Sequence, residues 1–156
     1  MQPIRLSLLI LLIQWGQIAH GQYGSPLRHL AITSGYGYRI HPVTGKTSFH
    51  SGIDLRAHSD TVFAIADGVV TAVGYQSILG IYIRLDHNGL QSIYGHLAQI
   101  LVFPGEAVVS GQPIAISGAT GRVTGGHLHF SVLYQGKLID PVRFLYHLLK
   151  YNLDHE

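Results

Sequence analysis

Eleven histidines outnumber the ten Lys plus Arg and the eight Asp plus Glu in this chain of 156 residues. Three histidine groupings could do chemistry. In FHSGIDL, His50 and Asp54 are four apart; in YGHL, His96 ends a strand; in GGHLHF, His127 and His129 are two apart. Strand side chains alternate, so residues two apart point to one face and His127 and His129 can address one site. His50 and Asp54 have no helical context, because Gly52 stands between them, and a loop must turn both toward a common point. Imidazole nitrogen and carboxylate oxygen are good zinc ligands, and a catalytic zinc takes three protein ligands and leaves one position open. Such a metal polarises a carbonyl and lowers the pKa of water to about 7. Two neutral histidines and one aspartate give the donor set a single negative charge, which keeps the ion strongly Lewis acidic. Two histidines then remain, one for proton transfer and one for the oxyanion of a tetrahedral intermediate. Spacing leaves open which member of the HxH pair is the ligand. No HExxH occurs, and Glu106, in a turn, has no histidine near it in sequence, which argues against a glutamate-based zinc protease.

Composition narrows the classes further. Hydrophobic residues are 47% and charged residues 12%, so the chain is not a disordered charged tail. Net charge is +2, far from the clustered basicity of a nucleic-acid binder. The absence of cysteine excludes disulfides, thiolate zinc sites, a cysteine nucleophile and a lipid-modified cysteine. Nineteen glycines without a Gly-X-Y period indicate many turns. His20, His29, His147 and His155 read as ordinary surface or core residues, and His41, His58 and His87 as loop residues.

The elements that must position these side chains are short. Residues 32–57 are dense in Gly, Ser, Thr and Pro without a helical repeat, which is loop chemistry around short extended pieces. Strands are expected at 61–65, 69–73, 81–85, 90–94, 112–117 and 127–134. Ala66-Asp67-Gly68 and Asn88-Gly89 supply turns between strands. Residues 118–126, GATGRVTGG, form a glycine loop. Asp140 and Pro141 look like an N-cap and a first-turn proline opening a helix to about Tyr151, with Leu145, Leu148 and Leu149 on one face. The sum is one mainly-β domain with one terminal helix.

Residues 1–21 read as a secretory signal peptide. Arg5 precedes an apolar run from Leu6 to Ile13, and Ala19-His20-Gly21 places small residues at the cleavage positions; the other reading is an uncleaved membrane anchor, against which the run is well short of a bilayer span. The expected organisation is therefore a signal peptide at 1–21, cut after Gly21, a lead-in at 22–31 and the domain at 32–151. That predicts export to the periplasm or cell envelope.

The stretches GYGYRIHPVTGKTSFHSGIDL, YGHL and GGHLHF, in that order, resemble the lysostaphin/LytM-type zinc metallopeptidases. Those enzymes cleave peptide bonds in bacterial cell-wall peptidoglycan. The likeness covers residues 35–141, and Arg39, Pro42, Gly45, Ala66-Asp67-Gly68 and Asp140-Pro141 also fit the family's pattern. It implies that His50, Asp54 and His129 bind one Zn²⁺, and that His96 and His127 flank the activated water and the scissile carbonyl. It implies a compact antiparallel β-domain, of duplicated-hybrid-motif type, with a substrate groove over one sheet. Ser131 departs from the acidic or other polar residue the family often carries after HLHF, a difference read as lying behind a ligand or at the surface. The implied function is hydrolysis of peptidoglycan peptide crosslinks, with no nucleic-acid partner. The other reading is a non-catalytic regulator of wall hydrolases, since some family members have lost ligands; here all three ligands and both assisting histidines are present. Both D-Ala–diaminopimelate crosslinks and glycine-rich bridges are family substrates. The small size, the simple signal peptide and the lack of a wall-binding module point to direct crosslinks in a diderm envelope.

Overall fold

A computed structural model describes residues 24–40 and 45–154. The expected signal peptide and its cleavage point, and His41 and Pro42, lie outside the described residues. Among the described residues twelve strands and one helix follow in order: β1 (Ile32–Ser34), β2 (Gly37–Ile40), β3 (Thr47–His50), β4 (Ile53–Arg56), β5 (Thr61–Phe63), β6 (Gly68–Gln76), β7 (Gly80–Asp86), β8 (Leu90–Ile100), β9 (Ala107–Val108), β10 (Pro113–Ser117), β11 (His127–Tyr134), β12 (Lys137–Ile139) and α1 (Pro141–Asp154). The expected mainly-β architecture with a terminal helix is what the chain adopts. No described helix is long and apolar enough to cross a membrane.

The main sheet is antiparallel and runs β1-β4-β11-β8-β7-β6-β9, with β12 on β11 and with β10 bridging β5 and β8. β2 and β3 form a separate two-stranded sheet. Alternation divides each central strand between a dry face and a groove face. On β4, Ile53 and Leu55 are fully buried in the core while Asp54 turns the other way; on β11, Leu128, Phe130 and Val132 enter the core while His127, His129 and Ser131 face the groove. The tight turn at Asn88-Gly89 has both residues left-handed, at φ 63° and 91°, and His87 N–H donates to Leu90 O at 2.7 Å. That is the two-residue hairpin turn that Asn-Gly favours.

One expectation needs correction. The strand that delivers His96 does not end there, because β8 continues to Ile100, with a bulge opposite β7 between the pairs Ile83↔Tyr94 and Ile81↔Leu97. In the helix, Asp140 Oδ1 accepts from Val142 N–H at 2.9 Å, as expected of an N-cap, and Leu145 and Leu148 are buried. Leu149, on the same face, is 37% exposed, at the margin of the stripe that α1 packs against β11.

Candidate metal centre and active site

Strand register brings the site together. Asp54 on β4 lies opposite His129 on β11, which lies opposite Gly95 on β8. His50 closes β3, and residues 51–52 return the chain so that β4 enters the sheet with Asp54 beside it. That return needs glycine. A Cβ on Gly52 would run into the Phe130 carbonyl and the Ser131 hydroxyl, and would stand 2.8 Å from His129 Nε2. Simple alternation from Gly95 would aim His96 away from the groove. Its left-handed backbone, φ 58°, inside the β8 bulge turns the ring back toward the other histidines. Bulges beside active sites commonly re-aim a side chain in this way.

Three donor atoms form a nearly equilateral triangle. His50 Nε2, Asp54 Oδ1 and His129 Nδ1 are 3.1 Å apart in all three pairs. A tetrahedral zinc with bonds of about 2.0–2.1 Å spaces its ligand atoms roughly 3.3–3.4 Å apart, so the triangle fits one face of that polyhedron. The donor set, two imidazoles and a carboxylate, suits zinc. His127 Nε2 is further out, 3.5 Å from Asp54 Oδ1. His50, Asp54 and His129 are all buried.

The far side of each ring determines which nitrogen faces the cleft. A carbonyl only accepts, so His50 Nδ1–H donates to Gly35 O at 2.7 Å, His96 Nδ1–H to Thr120 O at 2.8 Å, and His127 Nδ1–H to Gly125 O at 2.9 Å. Each leaves Nε2 for the site. His129 is reversed, with Nε2 2.9 Å from Ser131 Oγ and Nδ1 toward Asp54. Ser131 is only 3% exposed, so it lies behind the His129 ring and not at the surface. Asp54 Oδ2 faces Arg39 Nη2 at 3.6 Å, which leaves Oδ1 for the histidines. Outer partners of this kind hold metal ligands in their tautomer and orientation.

Electrostatics follow from these contacts. Burial alone would raise the Asp54 carboxyl, but hydrogen bonds from His127, His129 and His50 overcome it and hold the carboxyl well below the usual range. Burial pushes His96 down to about 4, against the pull of the Thr120 carbonyl. Burial also lowers His129. His127 is raised, chiefly by its hydrogen bond to Asp54.

All five side chains line one open cleft of about 490 Å³. Arg39, Ser48 and Phe49 from the β2–β3 hairpin form one wall, and Ile78, Leu79, Arg122, Val123 and Thr124 form the other. The groove expected over one sheet is therefore present. Arg122 and the carbonyls of Gly35, Thr120 and Gly125 were not legible as site groups, since a main-chain acceptor leaves no mark in residue type; the glycine-rich composition around all three was the only signal.

A family model described as Peptidase family M23 matches residues 48–141. Among curated relatives, the peptidoglycan DD-endopeptidase ShyB of Vibrio cholerae is 39% identical over 128 residues, 80% of this chain and 30% of that protein. The chain thus spans about a third of the length of that relative. A zinc-containing peptidase from Vibrio cholerae superposes with a TM-score of 0.70 at 40% identity, over 77% of this chain and 38% of that one. The catalytic domain of lysostaphin from Staphylococcus simulans superposes with a TM-score of 0.68 at 30% identity, over 75% of this chain and 92% of that domain. With the family's ordered motifs, its fold and a donor triangle in one cleft, the chain belongs to peptidase family M23.

Proposed function

We propose that this protein is a zinc-dependent endopeptidase that hydrolyses peptide crosslinks of bacterial peptidoglycan, exported to the periplasm or cell envelope by a signal peptide at residues 1–21. The observation that carries the activity is the 3.1 Å triangle of His50, Asp54 and His129 with two more imidazoles facing the same cleft. His50, Asp54 and His129 would hold the zinc, which would supply Lewis acidity toward the carbonyl and the attacking water. His96 and His127 each present Nε2 to the cleft, and the opposite nitrogen is tied to a carbonyl. The neutral ring accepts a proton at Nε2 and the protonated ring donates from it. The pair can therefore take a proton from the attacking water and deliver one to the departing amine or to the carbonyl oxygen. Among the described residues Asp54 is the only carboxylate lining the cleft, whereas glycoside hydrolysis uses two. The presence of all five side chains supports catalysis over a regulatory role.

The substrate class rests on the relatives: ShyB is named for DD-endopeptidase activity on peptidoglycan. The test is mass spectrometry of muropeptides after purified sacculi of several crosslink types are digested, with and without a chelator. The expected products are uncrosslinked peptides on intact glycan strands, with one new amino group per cut, and none of them after chelation. New reducing sugar ends without new amino groups overturn the reading.

A further inference from the structure

One wall of the cleft carries a cation that the chemistry above does not use. Arg122 is exposed, stands in the loop between β10 and β11, and lines the cleft together with all five site residues. Its guanidinium has no hydrogen bond or ion pair among the described residues. Arg39, on the other wall, is already turned to Asp54. Among the described residues Asp54 is the only acid lining the cleft, and it faces Arg39 and the histidines rather than Arg122.

The main chain at Arg122 is held firmly. Its N–H donates to Ile78 O at 3.1 Å. Gly121, at φ 79°, lies against Gly80, at φ 64°, so closely that a Cβ on either would strike the other's loop. Thr120 Oγ1 donates to Leu97 O at 2.7 Å and accepts from Ile81 N–H at 3.0 Å. The Thr120 carbonyl in turn orients His96. The clasp that aims His96 therefore also fixes the root of Arg122, two residues on. An unpaired guanidinium anchored beside the reacting groups is suited to receive an anion that the substrate brings.

The two crosslink chemistries differ in that anion. In a D-Ala–diaminopimelate crosslink the scissile nitrogen is attached to a carbon that also bears a free carboxylate. In a glycine bridge the corresponding carbon leads into a neutral amide. We propose that Arg122 is a specificity residue that binds the carboxylate adjacent to the scissile nitrogen and so selects direct diaminopimelate crosslinks over glycine bridges. The proposal rests on the peptidase reading above. The planar fork of arginine suits a carboxylate, with two parallel charge-assisted hydrogen bonds.

The experiment compares the zinc-loaded protein on two crosslinked muropeptide dimers that differ only in whether that carboxylate is free or amidated, with a glycine-bridged peptide as a third substrate. The expected preference of the unmodified protein for the free carboxylate is about 10- to 100-fold in kcat/KM, expressed mainly in KM. In Arg122→Met the carboxylate-to-amide ratio should fall to near one. Arg122→Lys should retain part of it, and Arg122→Glu should invert it. An unchanged ratio in Arg122→Met, or a fall of both substrates together with the ratio kept, overturns the proposal. Equal cleavage of both dimers by the unmodified protein overturns the proposal and leaves the peptidase reading standing. Failure to cut any of the three substrates while zinc is bound sinks the peptidase reading, and this proposal with it.

Discussion

His50, Asp54 and His129 meet at 3.1 Å, whereas His127 stands off and His96 approaches from a different strand. The five residues should therefore separate into two groups on mutation. His50→Ala, Asp54→Ala and His129→Ala are each expected to lose zinc, measured by metal analysis at low free zinc. They should also lose the zinc-dependent rise in melting temperature, because a ligand that binds only the native state stabilises it. Stoichiometric zinc in any of them removes that residue from the donor set. His96→Ala and His127→Ala should keep zinc while turnover falls about 10²–10⁴-fold. Near-normal turnover in both would refute their role, and zinc loss in His127→Ala would exchange the two histidines of the pair. All five residues were legible in the sequence, since histidine and aspartate carry their chemistry in the side chain. The groups that orient them were not.

At the scale of elements, the turn from β3 into β4 is where geometry is tightest. Gly52 lies under the Phe130 carbonyl, Ser131 and His129 on β11, and the contact involves backbone that cannot swing aside. Gly52→Ala is expected to destabilise the fold by about 1–3 kcal/mol, as overpacking does, and to weaken zinc binding by displacing His129. Denaturant unfolding and a chelator competition would measure the two effects. Gly125→Ala is the control: nothing lies within 4 Å of its Cβ position, and the change should stay within about 0.5 kcal/mol. If the two variants unfold alike, the steric argument fails. Strand existence was mostly readable, and 127–134 coincides with β11. The bulge in β8 was not readable, because a left-handed histidine is imposed by cross-strand register and no local pattern announces it.

Across the whole molecule, a chain of hydrogen bonds through His87 ties the hairpin to the core. His87 Nδ1–H donates to Asp67 O at 2.8 Å; His87 Nε2 lies 2.8 Å from Ser92 Oγ, which lies 3.1 Å from Tyr94 Oη, and Tyr94 Oη accepts from Ile65 N–H at 3.2 Å. Burial lowers the pKa of His87, with the Asp67 carbonyl opposing. Below about pH 6.5 the unfolded chain then takes up a proton that the folded chain refuses, so stability is full above that pH and falls as pH drops, by at most about 1.4 kcal/mol per unit. With chelator present throughout, His87→Gln should show a shallower loss of stability between pH 6.5 and 5 than the unmodified protein; identical slopes would remove His87 from the account. In the sequence His87 shows only as a loop residue, since its partners are main-chain and hydroxyl groups that the fold brings to it. By itself the sequence determined the donor chemistry, the order of the motifs, the mainly-β class and the helix cap. These are properties of residue type, or of patterns a few residues long. Only the tertiary structure decided that Asp54 faces His129 across β4 and β11, which nitrogen each ring offers, and that Arg122 stands in the cleft. Those depend on register and on loop-to-loop contacts between segments tens of residues apart, where any one segment is compatible with many partners and only the packed whole selects one.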